Sequence, residues 1–210
     1  MSRPSFRTRL EQPQLIAVPV IFDAMSARVA FEAGFDVLSI GSLAVSASKY
    51  ALPDTGFMSL DDMADCVRNV RYAVPESTII ADAEAGFGNA VHVVRTVRVL
   101  EAAGANAFHI EDQLFGKHVT HQPRIESAEV TADKIAAAVG ARSSSECVVI
   151  GRTDTQWATP LDDDQGYGVD EVIRRSNLFV EAGADMILLP LTPLEQMATI
   201  VVEINAPVMT

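Results

Sequence analysis

The chain has 210 residues, 49% of them hydrophobic and 21% charged, which suits one domain with a large buried core. A net charge of −12 argues against a nucleic-acid partner, because an acidic surface repels phosphates. No apolar run approaches the ~20 residues that span a bilayer, and the N-terminus has no signal-peptide core, so no membrane partner is expected.

Cys66 and Cys147 are the only cysteines, and they form no C-x-x-C pair, so a reducing compartment is the simplest reading. A cytoplasmic location is expected. A mitochondrial one ranks second, because Arg3, Arg7 and Arg9 precede any acidic residue, as in an organelle transit peptide.

In chain order, short apolar runs alternate with amphipathic stretches. The first run, Leu15–Phe22, ends at Asp23. The second, Val37–Ile40, ends at Gly41-Ser42, and its loop carries Pro53-Asp54-Thr55-Gly56. The third, Thr78–Ala81, leads into Asp82-Ala83-Glu84-Ala85-Gly86-Phe87-Gly88, with Asn89 placed to cap a helix over Ala90–Ala103. The fourth, Ala107–Ile110, leads into Glu111-Asp112 and a loop from Gln113 to Pro123. The fifth, Cys147–Ile150, is followed by Gly151-Arg152-Thr153-Asp154, and Met186–Leu189 and Ala206–Met209 complete the set. Most runs are rich in Val and Ile and lack strict alternation, as strands buried on both faces of a parallel sheet do.

A related phrase recurs before the second, fourth and sixth runs: Glu32-Ala33-Gly34-Phe35-Asp36, Glu101-Ala102-Ala103-Gly104-Ala105-Asn106 and Glu181-Ala182-Gly183-Ala184-Asp185. In each, Gly takes the left-handed position that ends a helix. The glycines lie roughly 70–80 residues apart, two βα units per interval. Repeated βα units predict an α/β fold. The first strand lacks a G-x-G-x-x-G, and polar residues end five successive strands, which favours a (β/α)8 TIM-type barrel over an open dinucleotide-binding sheet. A closed barrel needs eight strands and about 250 residues. Seven are found, so the expectation is a single barrel domain over residues 1–210, truncated after the seventh strand and lacking its C-terminal strand and helices.

The polar strand ends carry the chemistry. Asp82 and Glu84 stand two apart, so strand alternation points both to one side. Alternation also puts Ala107, His109 and Glu111 on one face, with Phe108 and Ile110 on the other. If the first set faces the barrel axis, Glu111 joins Asp82 and Glu84, and three oxygen ligands suit Mg²⁺, or Mn²⁺. His109 is read as a hydrogen-bonded core histidine. Arg152 could clamp a substrate carboxylate or form a structural ion pair with a neighbouring acid. The loop with Lys117, Thr120 and His121 reads either as a lid delivering a proton or as a solvated loop. The Gly41-Ser42 backbone could hold a substrate oxygen, and Asp54 could reach the metal through water.

Taken together and in order, Phe22-Asp23-Ala24-Met25-Ser26-Ala27, Pro53-Asp54, Asp82–Gly88, His109-Ile110-Glu111-Asp112-Gln113 and Gly151-Arg152-Thr153-Asp154 resemble the isocitrate lyase/phosphoenolpyruvate mutase superfamily from about Arg9 to Thr210. The resemblance implies an eight-stranded barrel that exchanges its last helix between subunits in dimers or tetramers. It implies Mg²⁺ at Asp82, with Glu84 and Glu111 contributing and Asp54 nearby, and Arg152 with Gly41-Ser42 binding a 2-oxo acid. It implies chemistry through an enolate. Lys117 and His121 match the lid of the C–C lyases, in which a cysteine gives the proton; Val119 stands at that position here. Glu84 replaces the family's usual second aspartate. The expected activity is Mg²⁺-dependent C–C cleavage of a small 2-oxo or 2-hydroxy (di)carboxylic acid. P–C chemistry on phosphonopyruvate is the first alternative and an inactive family remnant the second.

Overall fold

A computed structural model describes residues 4–114, 123–160 and 168–210. The elements are α1 (Phe6–Leu10), β1 (Val20–Ile21), α2 (Ala24–Glu32), β2 (Val37–Ile40), α3 (Ser42–Tyr50), α4 (Leu60–Ala73), β3 (Thr78–Asp82), α5 (Ala90–Ala103) and β4 (Ala107–Glu111). There follow β5 (Arg124–Ile125), α6 (Ala128–Ala141), β6 (Val148–Arg152), β7 (Thr159–Pro160), α7 (Val169–Glu181), β8 (Met186–Leu188), α8 (Leu194–Glu203) and β9 (Val208–Met209). Seven strands form one parallel sheet in the order β1-β2-β3-β4-β6-β8-β9, each expected run supplying one strand. β5 and β7 pair separately, and the backbone of β5 bonds to residues just past β4.

The strands bury both faces, and the two faces belong to different cores. Leu38, Ile79, Phe108, Val149 and Ile187 pack outward with the helices, including Val67, Val97, Ile135 and Phe179. Their alternate neighbours Val37, Ile80, Ala107, Val148, Ile150, Met186 and Leu188 form a second cluster around Phe6. Residues on five strands can share one compact cluster with Phe6 only if the sheet curls. The curl makes a seven-stranded part of a TIM-type barrel, its floor closed by α1.

Local sequence explains the helix ends. Gly34, Gly104 and Gly183, the glycines of the repeated phrase, have φ of +101°, +108° and +101°, so each ends its helix in the left-handed region. Asn89 caps α5 by accepting from the amides of Val91 (3.1 Å) and His92 (3.3 Å).

Two details differ from the sequence reading. The apolar run predicts a first strand over Leu15–Phe22, yet only Val20–Ile21 pair with the sheet; Leu15 is 97% exposed. The segment lies at the edge of the sheet, where no described strand on its outer side extends the ladder. The helix α1 has no counterpart in the sequence pattern, because five residues are too few to show a period. No described helix is long and apolar enough to cross a membrane. Cys66 and Cys147 are buried and not disulfide-bonded, and burial raises the thiols to about 11 and about 12.

Candidate active site

Parallel register brings the polar strand ends together. Asp82 on β3 lies beside His109 on β4, and one step higher Glu111 lies beside Arg152 on β6. All four side chains continue the inward-facing rows of Ile80, Ala107 and Ile150. The mouth of the barrel is therefore polar directly above an apolar floor.

Asp82, His109 and Glu111 are buried, and each offers one ligand atom within 4.8 Å of the others. Asp82 is fixed by two amides: Ser42 N–H donates to Oδ2 (3.0 Å) and Glu84 N–H to Oδ1 (2.8 Å). His109 Nδ1 lies 3.7 Å from Asp82 Oδ1. Arg152 Nη1 lies 3.0 Å from Glu111 Oε2, while its Nε and Nη2 each donate at 3.0 Å to Asp154. Burial opposes the charge on Arg152, but the carboxylates of Glu111, Asp154 and Asp82 outweigh it, so its pKa lies above the ordinary arginine value.

Among the described residues, the buried carboxylates Asp82, Glu111 and Asp154 lie close to the guanidinium of Arg152, and the buried Glu84 follows Asp82 by two residues. At an effective dielectric near 20, two like charges about 4–5 Å apart repel by roughly 3–4 kcal/mol. Such a group calls for a cation or a proton. Carboxylates suit a hard divalent cation whose shell water completes; an imidazole donor suits Mn²⁺ better than Mg²⁺. The residues present therefore fit the expected metal.

The chain just after β3 is strained. Glu84, Gly86, Phe87 and Gly88 have φ of +51°, +90°, +54° and +144°. A Cβ on Gly86 would lie 2.5 Å from Val93 Cγ2, so any other residue there would force Val93 to shift. Backbone strain of this kind concentrates at functional sites. The turn lifts Glu84 and Phe87 to the wall of a cleft of about 630 Å³, which Glu111, Leu114, Glu126 and Lys134 also line.

The sequence of residues 6–210 matches the phosphoenolpyruvate phosphomutase family profile. The chain belongs to this family. It is 37% identical over 182 residues to the chloroplastic carboxyvinyl-carboxyphosphonate phosphorylmutase of Arabidopsis thaliana, covering 86% of this chain and 52% of that protein. It is 34% identical over 214 residues to the 2-methylisocitrate lyase of Aeropyrum pernix, covering 100% of this chain and 66% of that protein. The crystal structure of phosphonopyruvate hydrolase in complex with oxalate and Mg²⁺ superposes with a TM-score of 0.82 at 32% identity, over 96% of this chain and 69% of that one. The chain thus spans about half to two-thirds of the length of these curated relatives.

The expected site residues that the structure describes each have a definite place. Asp82, Glu111 and Arg152 meet at the mouth. Glu84 stands beside them, but the strand ends at Asp82, so the left-handed turn and not strand alternation sets its direction. His109, read as a core residue, joins the cluster, because the same alternation that turns Glu111 inward turns His109 inward one level below. The Ser42 amide, expected to face a substrate oxygen, is bonded to Asp82. Asp54 lies half-buried in the bend between α3 and α4, outside the converging trio. Lys117, Val119, Thr120 and His121 lie outside the described residues.

Sequence reasoning passes over a buried layer behind the mouth. Asp112 Oδ1 accepts from the Asp154 amide (3.0 Å), and Oδ2 accepts from Thr153 Oγ1 (2.6 Å) and from Arg175 Nη1 (3.1 Å). Arg175 is fully buried on α7 and also bonds Glu171. A signal for it exists in the sequence: Val172, Arg175 and Phe179 lie on one apolar helical stripe, and a charged residue there requires a buried partner.

Proposed function

We propose that this chain carries the metal site and acid-binding arginine of a Mg²⁺- or Mn²⁺-dependent lyase that breaks a C–C bond in a small 2-oxo or 2-hydroxy (di)carboxylic acid. The observation that carries the reading is the meeting of Asp82, His109, Glu111 and Arg152 at the C-terminal end of the strands. Asp82 and Glu111 would hold the cation, with His109 beside Asp82 and Glu84 reaching it directly or through water. When bound, the cation supplies Lewis-acid polarisation of a substrate oxygen. Ser42 N–H keeps the Asp82 carboxylate turned toward the axis. Arg152, held from behind by Asp154, takes the substrate carboxylate and offsets the negative charge that develops as the bond breaks toward an enolate. Gly41 and Asp54 belong to the substrate side of the same mouth. Proton transfer is assigned to Lys117, Thr120 or His121. Homodimers or homotetramers and a cytoplasmic location remain part of this proposal.

The test uses proton NMR of the protein with Mg²⁺ or Mn²⁺ and pooled 2-oxo and 2-hydroxy diacids. Asp82→Ala and Arg152→Ala are each expected to lower turnover by about 10²-fold or more. Full wild-type turnover in both variants would remove the assignment.

A second reading, cleavage or migration of a P–C bond, draws support from Glu111-Asp112-Gln113-Leu114-Phe115-Gly116-Lys117 and from the likeness to phosphonopyruvate hydrolase. Phosphorus NMR with phosphonopyruvate decides it: an unchanged spectrum rules it out.

A further inference from the structure

Arg175 presents a physical question that packing alone does not answer. Burying a guanidinium completely costs several kcal/mol unless its bonds are well placed, and Val172 and Phe179 already attach the same face of α7 to the core. Three of its bonds to described residues bear on the mouth. Nε donates to Glu171 Oε1 (2.8 Å), which fixes the plane of the guanidinium on its own helix. Nη1 donates to Glu126 O (2.8 Å) and lies 3.1 Å from Asp112 Oδ2. Asp112 then binds the two residues after Arg152: the Thr153 hydroxyl (2.6 Å) and the Asp154 amide (3.0 Å). Asp112 N–H also donates to Arg152 O (3.2 Å). Asp154, whose side chain is fully buried, grips Arg152 through Nε and Nη2. Each link sets the position of the next, and the last is the guanidinium beside Glu111.

We propose that Arg175 is a positioning residue: from the helix layer it fixes Asp112 and Asp154, and through them the orientation of the Arg152 guanidinium that receives the substrate carboxylate. Arg175 is not among the residues lining the cleft, so its effect is transmitted and not direct. The inference rests on the proposed role of Arg152 for its consequence in binding, but the link between the two arginines can be read without any ligand.

The variant is Arg175→Lys, which keeps the charge and loses the fork. Glu171→Gln is the milder companion: it removes one anionic partner of Arg175 and empties no volume. In ligand-free protein, nitrogen-resolved NMR follows the Nε–H of Arg152, which is held at Asp154 and should exchange slowly. Both variants are expected to shift that resonance or hasten its exchange, the lysine variant more, while most backbone amides keep their positions. Calorimetry then measures Mg²⁺ alone and oxalate in the presence of Mg²⁺. Arg175→Lys is expected to weaken oxalate about 10-fold, with Mg²⁺ affinity changed by no more than about 2-fold. An Arg152 Nε–H signal unchanged in both variants overturns the inference. So does a parallel loss of Mg²⁺ and oxalate affinity, the mark of general loosening. Wild-type protein that binds Mg²⁺ but no oxalate would instead overturn the assigned role of Arg152, while the ligand-free spectrum still decides the coupling.

Discussion

At the scale of single residues, the glycines separate two physical costs that one substitution usually mixes. Gly34 has φ +101°, and a methyl group added to it would meet nothing within 4 Å. Gly86 has φ +90° and a Val93 methyl 2.5 Å from where its Cβ would stand. Gly34→Ala should therefore cost only the left-handed conformation, about 1–2 kcal/mol. Gly86→Ala adds a clash with a stiff β-branched side chain, about 1–3 kcal/mol more. Urea unfolding of both variants checks the ordering; equal midpoints would mean that the turn after β3 relaxes freely. The left-handed glycines are legible in the sequence, because each closes a repeated phrase. The inward set Ala107, His109 and Glu111 is legible too, since β4 is regular along its whole length. Glu84 is not placed by the same rule, because period-two alternation stops where the strand does. Asp112, Asp154 and Arg175 escape assignment because their partners come from different elements, and only tertiary structure brings them together.

At the scale of the element, α4 shows how a helix start stores pH dependence. Ser59 caps it and Asp62, three residues on, reaches back to the Ser59 amide (3.1 Å) and hydroxyl (2.6 Å). Tyr50 at the end of α3 donates to the same carboxylate, tying two consecutive helices together. Partial burial pushes the Asp62 carboxyl up, but the hydrogen bonds from Ser59 and Tyr50 outweigh it and bring it from 3.8 to about 2. A lowered carboxyl stabilises the fold above its unfolded pKa and loses that contribution as pH falls through the folded one. Asp62→Ala should thus cost about 1 kcal/mol near neutral pH. The gap between wild type and variant should narrow as pH drops from about 4 to about 2. Thermal melts across that range test the sign: a gap that widens in acid would contradict the hydrogen-bond assignment. The element boundaries follow the sequence closely wherever a strand has neighbours on both sides. They depart from it at Leu15–Pro19, where the sheet has an edge and burial no longer dictates extended structure.

At the scale of the whole molecule, curl and openness coexist. The inner cluster around Phe6 requires the sheet to wrap, yet among the described residues β1 and β9 are its two outer strands. Each is two residues long, and β1 presents Val20, 62% exposed, on its inward-facing row beside Ser39. Further apolar surface is exposed nearby in sequence: Leu15 before β1, Met25 and Val29 on α2, and Val202 on α8 ahead of β9. Unpaired strand edges flanked by apolar side chains are templates for pairing with another chain. A second copy of this chain offers the same edges, so the 210-residue protein should associate as its concentration rises. Sedimentation velocity across a wide range of concentration would report that growth. Val20→Lys places a charge on the edge, beside Gly41 but at none of the positions Asp82, His109, Glu111 and Arg152, so it should suppress association and shift monomer stability by no more than about 0.5 kcal/mol. If wild type and Val20→Lys remain equally monomeric throughout, the β1 edge is covered from within the chain. The net charge of −12 opposes association at low ionic strength, so adding salt should strengthen the wild-type self-contact.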